Sequence, residues 1–253
     1  MKNKYYFLIV LLFLVSNAIF AQAPTTASTN LQFNTIDGNR INYQFTKGDG
    51  ARRIVIAKEG SAVTAVPVDG VDYTHSTTFG SGEEIASGEY VVYDGIGSSS
   101  PILGLTPATT YFIKVFEYNG SGFTTEYLTS SFLEGGQATL SPPTTQASAI
   151  LFSDVLGTSM TVSWTNGDGS SRILIIRENG TVDTEPVDLT SYSASAGGFG
   201  SAIFEIGTGN YVVYGGAGSS VNIRNLNPNT TYHFALFEYN GNNGRLYLRP
   251  GAT

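Results

Sequence analysis

Alternation is the dominant pattern along this chain. Asn39-Arg40-Ile41-Asn42-Tyr43-Gln44-Phe45 alternates polar and apolar residues, and so does Ser159-Met160-Thr161-Val162-Ser163-Trp164. Side chains of a strand point to opposite faces in turn, so this period predicts half-buried strands. Arg53-Ile54-Val55-Ile56-Ala57 and Arg172-Ile173-Leu174-Ile175-Ile176 are apolar runs of strand length and predict buried strands. Thr110 to Tyr118 and Thr231 to Tyr239 read as strands again. Gly- and Asp-rich turns break these runs at close spacing, and no helical period appears beyond the N-terminal segment. The pattern predicts an antiparallel β-sandwich.

The same text is written twice. Tyr90-Val91-Val92-Tyr93 returns as Tyr211-Val212-Val213-Tyr214. Phe116-Glu117-Tyr118-Asn119-Gly120 returns as Phe237-Glu238-Tyr239-Asn240-Gly241. Both copies lie 121 positions on, from 90 to 211 and from 116 to 237. That period is too long for a solenoid turn and suits a domain. Leu140-Ser141-Pro142-Pro143-Thr144-Thr145 separates the copies and reads as a short, stiff linker. The units expected are 24–141 and 143–253, the second with a short last strand.

Residues 1–21 read as a signal peptide. Lys2 and Lys4 precede the apolar run Tyr5 to Val15, and Ala18, Ala21 and Ala23 follow. Cleavage after Ala21 fits, whereas cleavage after Ala23 would leave Pro24 directly behind the cut. The run is shorter than the roughly 20 residues a spanning helix needs, so no membrane insertion is expected after cleavage. The expected location is secreted or cell-surface. The chain has no cysteine, so its cores are held without disulfides. Only 13% of residues are charged, against roughly 25% in ordinary soluble proteins, and the net charge is −7. That balance argues against nucleic acid as a partner, because phosphate binding needs clustered Lys and Arg.

At Leu105-Thr106-Pro107-Ala108-Thr109-Thr110-Tyr111 and Leu226-Asn227-Pro228-Asn229-Thr230-Thr231-Tyr232 the chain resembles the tyrosine corner of fibronectin type III domains. The resemblance implies that Leu105 and Leu226 fill the core beneath a strand crossing, and that the Tyr111 and Tyr232 hydroxyls bond back to loop backbone. Trp164 resembles the family's second-strand tryptophan, and Phe45 holds that place in the first copy. The wider blocks are Trp-Thr-Asn-Gly-Asp-Gly, Arg-x-x-x-x-(Lys/Arg)-Glu, Pro-Val-Asp, Tyr-Val-Val-Tyr and Phe-Glu-Tyr-Asn-Gly. They resemble repeats of exported Bacteroidetes proteins. The implied fold is all-β: two tandem immunoglobulin-like (fibronectin type III) sandwiches after a signal peptide. A fold of this kind does not name a function.

Candidate chemistry is sparse. His75 and His233 stand at non-equivalent positions, and no nucleophile motif, HExxH, phosphate loop or dinucleotide fingerprint accompanies them. No catalytic residue, cofactor or metal is expected. Counting by twos from the corner tyrosines, Glu117 and Glu238 face inward, where a carboxylate needs a partner. Arg53 and Arg172 begin the neighbouring strand, which predicts the pairs Arg53–Glu117 and Arg172–Glu238. Gly48-Asp49-Gly50 and Gly167-Asp168-Gly169 read as turns. A calcium loop, even helped by Asp69 and Asp188, has too few oxygens. Tyr118, Phe123 and Tyr127 flank a hairpin whose second copy offers only Tyr239 and Tyr247. Phe123 has no counterpart and is the candidate ligand contact. The leading expectation is a non-enzymatic spacer or protein-interaction and adhesion module of a secreted or cell-surface bacterial protein, its partner an unidentified protein or glycan. The alternatives are the N-terminal accessory region of a larger exported hydrolase and a carbohydrate-binding module.

Overall fold

The computed structural model describes residues 21–253. The expected signal segment lies outside the described residues, apart from Ala21. In the first sandwich, β1 (Thr29–Ile36), β2 (Arg40–Thr46) and β6 (Ser99–Leu103) form one antiparallel sheet in the order β1-β2-β6. Facing it are β3 (Arg52–Glu59), β4 (Glu84–Ala86), β5 (Glu89–Gly95), β7 (Thr110–Asn119), β8 (Glu126–Tyr127) and β9 (Leu133–Ala138). Their order is β4-β5-β3-β7-β8, with β9 on the outer side of β7. The second sandwich repeats the plan. One sheet holds β10 (Ser148–Ser153), β11 (Ser159–Thr165) and β14 (Ser220–Arg224). The other holds β12 (Ser171–Glu178), β13 (Asn210–Gly216), β15 (Tyr232–Asn240) and β16 (Leu246–Tyr247), in the order β13-β12-β15-β16. All named strand pairs are antiparallel.

The inward set of each alternating strand forms the core between the sheets. Ile41, Tyr43 and Phe45 of β2 meet Val55 of β3 and Tyr111, Ile113 and Val115 of β7. Val162 and Trp164 of β11 meet Leu174, Ile176, Phe234 and Leu236 in the second unit. The apolar runs of β3 and β12 have a further reason. Their outward residues are buried too, under a long connection that folds back over the sheet. Ile54, Ile56, Phe116 and Tyr118 pack beneath Val63, Ala65 and Tyr73. Ile173, Ile175, Phe237 and Tyr239 pack beneath Val182, Tyr192 and Ile206. A strand covered on both faces has no solvent side to carry polar residues.

The segment 140–145 is hydrogen-bonded to both units. Ala108 N–H donates to Leu140 O (2.9 Å), and Leu140 N–H donates to Asp37 O (3.2 Å). Asn240 Nδ2 donates to Ser141 O at 3.0 Å. The turn between β1 and β2 then reaches across the junction. Asp37 Oδ1 accepts from Asn242 N–H at 2.7 Å, and Gly38 N–H donates to Gly244 O at 3.1 Å. A Cβ on Gly38 would fall 2.8 Å from Leu246 Cγ, so glycine permits this close approach.

The copies differ most at one edge. In the first, β9 pairs with β7 from Val115↔Leu133 to Thr110↔Ala138. In the second, only the bridge Leu236↔Ala252 occupies the corresponding edge among the described residues.

Candidate functional site

At one end of each sandwich a buried arginine and glutamate tie three segments together. β3 and β7 are antiparallel neighbours in the register Arg53↔Glu117, and β12 and β15 in the register Arg172↔Glu238. Arg53 Nη2 stands 2.9 Å from Glu117 Oε2. Arg172 Nε stands 2.9 Å from Glu238 Oε1, and Nη2 reaches Oε2 at 3.1 Å. The side chains are 2% and 0% exposed in each pair. Buried charges of this kind persist only where the remaining donors and lone pairs are also satisfied. They are. Arg53 Nη1 donates to Ile96 O (2.5 Å) and Nη2 to Gly50 O (2.9 Å). Arg172 Nη1 donates to Ala217 O (2.6 Å) and Nη2 to Gly169 O (3.1 Å). The carboxylates also accept the Gly48 and Gly167 N–H groups, each at 2.9 Å. In the first copy alone, the Ser28 hydroxyl adds a further bond at 2.5 Å.

The Gly-Asp-Gly turns do more than reverse the chain. Asp49 accepts the Thr25 hydroxyl (2.6 Å) and N–H (3.0 Å) and the Thr26 N–H (2.9 Å). Asp168 accepts the Thr144 hydroxyl (2.6 Å) and N–H (3.0 Å) and the Thr145 N–H (2.8 Å). Bonds from Thr25 and Thr26 hold the Asp49 carboxyl below the ordinary range, as Thr144 and Thr145 do for Asp168. Each aspartate thus fastens the segment leading into its own sandwich. Asp69 and Asp188 lie elsewhere, accepting the Tyr127 and Tyr247 N–H groups at 2.8 Å each. Among the described residues no cluster of three or more His, Cys, Asp or Glu side chains forms a metal-binding group.

The corner tyrosines close loops. Tyr111 Oη accepts the Thr106 N–H (3.0 Å) and donates to Glu59 Oε2 (2.9 Å). Tyr232 Oη accepts the Asn227 N–H at 2.7 Å. Leu105 and Leu226 are buried beneath them. Trp164 is buried edge-on against Tyr214, and its indole N–H donates to Asn166 Oδ1 at 3.0 Å. Phe45 takes the equivalent place stacked on Tyr43, with ring centroids 6.0 Å apart.

The hairpin aromatics separate into two groups. Tyr118 and Tyr127 are buried against each other at 5.0 Å, and Tyr239 and Tyr247 at 5.3 Å. Tyr118 Oη accepts Arg52 Nε (2.6 Å) and donates to Asp94 (2.7 Å). Phe123 is 95% exposed at the hairpin tip, on a short 3-10 turn spanning Gly122–Thr124. His75 is exposed beside Tyr93, and His233 pairs across the ladder with Arg177. Among the described residues no side-chain hydrogen bond or ion pair joins either histidine to the other, to an acid or to a hydroxyl.

One buried cluster escaped the sequence reading. Glu89 accepts Lys58 Nζ (2.8 Å), the Thr64 hydroxyl (2.6 Å) and the Ala65 N–H (2.6 Å). Burial alone would raise this carboxyl. Lys58, Thr64 and the Ala65 N–H outweigh it and hold the group down at about 2. In the second copy the acid has changed sides. Asn210 stands in the place of Glu89 and donates to Asp183 Oδ1 at 2.8 Å, while Arg177 pairs with Asp183. Both copies pin the long connection to the sheet with one cation and one carboxylate. Comparing the copies position by position would have shown Thr64/Glu89 exchanged for Asp183/Asn210.

No family model matches the chain, and no curated protein matches it. Among solved structures it is similar to a two-domain fibronectin type III segment from chicken tenascin. The identity is 14%, over 89% of this chain and 98% of that one, with a TM-score of 0.31. It is also similar to the chicken CNTN1 FN1–FN3 domains, at 15% identity over 89% of this chain and 67% of that one, TM-score 0.35. The fibronectin type III-like fold is read from the strand order and the tyrosine corners themselves.

Proposed function

We propose that this chain is a non-enzymatic spacer and interaction module, exported to the cell exterior, whose two sandwiches form one stiff unit that presents the hairpin tip around Phe123. The observation that carries the spacer reading is the junction. Asp37 is fully buried there, with Oδ1 on Asn242 N–H and Gly38 bonded to Gly244, so the first unit is docked on the second. Loops on rigid scaffolds are where binding residues concentrate. The shared polar side chains of both copies are engaged in holding loops to sheets, as the Arg–Glu pairs and the turn aspartates show. Export rests on the N-terminal sequence, with Lys2 and Lys4 ahead of the apolar run.

Small-angle scattering tests the spacer. Wild-type chain is expected to give a single elongated distance distribution, and Asp37→Ala a broader one. Identical profiles would remove the rigid-unit reading. A second reading, glycan binding at the tip, is favoured by the 95% exposure of an aromatic ring suited to sugar faces. A glycan array that lights up with wild type and goes dark with Phe123→Ala supports it. A blank array with wild type removes it.

A further inference from the structure

Each sandwich carries the same three rings at the end away from its buried Arg–Glu pair. Phe79 stands edge-on between Tyr90 (5.2 Å) and Tyr111 (5.1 Å), and Phe199 between Tyr211 (5.0 Å) and Tyr232 (5.1 Å). Around those rings the copies part. In the first, Lys58 pairs with Glu89 at 2.8 Å, Glu59 accepts the Tyr111 hydroxyl at 2.9 Å, and Gly104 and Thr106 complete the rim. In the second, Arg177 and Glu178 take the places of Lys58 and Glu59, while Asn225 and Asn227 replace Gly104 and Thr106. With Phe199 and Tyr211 these four residues line a cleft of about 490 Å³. Small-ligand sites commonly measure roughly 300–1,000 Å³.

The polar groups of this cleft hold more hydrogen-bonding capacity than the described residues use. Glu178 accepts only from Asn227 Nδ2 among them, at 3.2 and 3.4 Å, and a carboxylate offers about four lone-pair sites. Asn225 stands at φ +63°, where the first copy has Gly104 at φ +71°. Asparagine tolerates this left-handed backbone better than most side chains. It brings an exposed amide that hydrogen-bonds to no described residue. Arg177 is by contrast committed to Asp183 and to Thr181 O (3.1 Å), so its charge is already matched. The floor of Phe199 and Tyr211 is half-buried. A docked sandwich does not reach this place. The second unit bears on the first through Asp37 and Gly38, yet Gly80, Gly104 and Thr106, at the corresponding positions of the first unit, remain exposed.

We propose that this cleft of the second sandwich binds a neutral pyranose unit of a glycan. Phe199 and Tyr211 supply apolar surface for the C–H face of the sugar. The Asn225 and Asn227 amides each donate and accept, as sugar hydroxyls do, and the open lone pairs of Glu178 accept from hydroxyls. The same carboxylate selects against acidic sugars, because like charges brought together are repelled. The site lies on the second sandwich and does not rest on the Phe123 tip.

The probes are the methyl pyranosides of glucose, galactose and mannose, with methyl glucuronide as the acidic control, each titrated into the 15N-labelled chain expressed from Gln22. At least one neutral sugar is expected to give saturable amide shifts at Asn225, Asn227 and the neighbouring Gly200 and Gly209, and the glucuronide to bind more weakly. Asn225→Gly installs the residue that the first copy holds at Gly104, so the backbone keeps its angle and only the amide is lost. It is expected to weaken binding about tenfold, as loss of a hydrogen bond would, with Trp164 fluorescence reporting that the second sandwich is folded. Glu178→Gln is expected to narrow the gap between the neutral sugar and the glucuronide. Absence of saturable shifts around Asn225 with all three neutral sugars would overturn the proposal. So would shifts confined to Gly122 and Phe123, which would place sugar binding at the tip instead, or undiminished binding by Asn225→Gly.

Discussion

Removing Arg172 exposes how much of the second sandwich depends on its buried pair. Arg172→Ala leaves Glu238 without its partner in a place with no access to water, since the two side chains are 2% and 0% exposed. Breaking such a pair by deleting one member costs about 3–5 kcal/mol. Arg172 also donates to Ala217, Gly218 and Gly169 carbonyls, so three loop groups lose a donor at once. A domain of this size is stable by about 5–15 kcal/mol, so the variant sits near the lower limit of folding. The assay is built into the chain. Trp164 is the only tryptophan, buried in β11 of the second sandwich. Its fluorescence follows that unit, and circular dichroism follows both. With a urea m-value of about 2 kcal/mol/M, a loss of about 4 kcal/mol lowers the Trp164 midpoint by about 2 M. Arg53→Ala is expected to lower the dichroism transition while moving the Trp164 midpoint far less. The double variant Arg172→Met with Glu238→Leu removes both charges but leaves the Ala217, Gly218 and Gly169 carbonyls and the Gly167 N–H without these side-chain partners, so it is expected to recover only the part of the loss that comes from the uncompensated charge. A Trp164 midpoint within about 0.5 M of wild type in Arg172→Ala would refute the reasoning.

Three further outcomes are expected. Gly167→Ala places a Cβ 2.1 Å from Thr145 O, a backbone atom that cannot swing away; the strain lowers stability by about 1–3 kcal/mol, read from the Trp164 transition. Tyr43→Phe deletes a buried hydroxyl that has no hydrogen-bond partner among the described residues; the first sandwich should gain about 1 kcal/mol by dichroism-monitored denaturation, and a loss of similar size would show that the hydroxyl is satisfied. Glu89 has its carboxyl depressed from 4.5 to about 2 in the folded state. Its contribution is therefore complete above pH 4.5 and is lost as the pH falls from there to about 2. Glu89→Gln should flatten the pH dependence of the first sandwich in that window, and an unchanged slope would count against the assignment.

Much of this architecture was legible in the residues, because one-dimensional patterns carry it. Period-two alternation at Arg40–Thr46 and Ser159–Thr165 gave the strands that face the core. The same count placed Glu117 and Glu238 inward, and antiparallel neighbours brought Arg53 and Arg172 to them. Three features were not legible for one shared reason: each depends on where an irregular segment lands. The cover that the long connections lay over Ile54 and Ile173 has no period to read. The Thr25–Asp49 bond joins residues whose proximity only the closed sandwich creates. The junction of Asp37 with Asn242 unites the ends of two domains across 205 positions of sequence. Phe123 was singled out by its missing counterpart, and the structure leaves it exposed at the hairpin tip.

The exchange at Thr64/Glu89 and Asp183/Asn210 sharpens how the two copies should be compared. A residue absent from one copy is not thereby free for binding. Glu89 is absent from the second copy, yet its role persists through Asp183, since Arg177 and Asn210 meet that acid as Lys58 and Thr64 meet Glu89. Counting identities alone would have filed Glu89 with the singular residues. What distinguishes Phe123 is stronger than a lack of identity: it satisfies no contact that its own sandwich needs. A difference between duplicated domains points to an outside partner only where the physical demand, and not just the residue, goes unmet within the described chain.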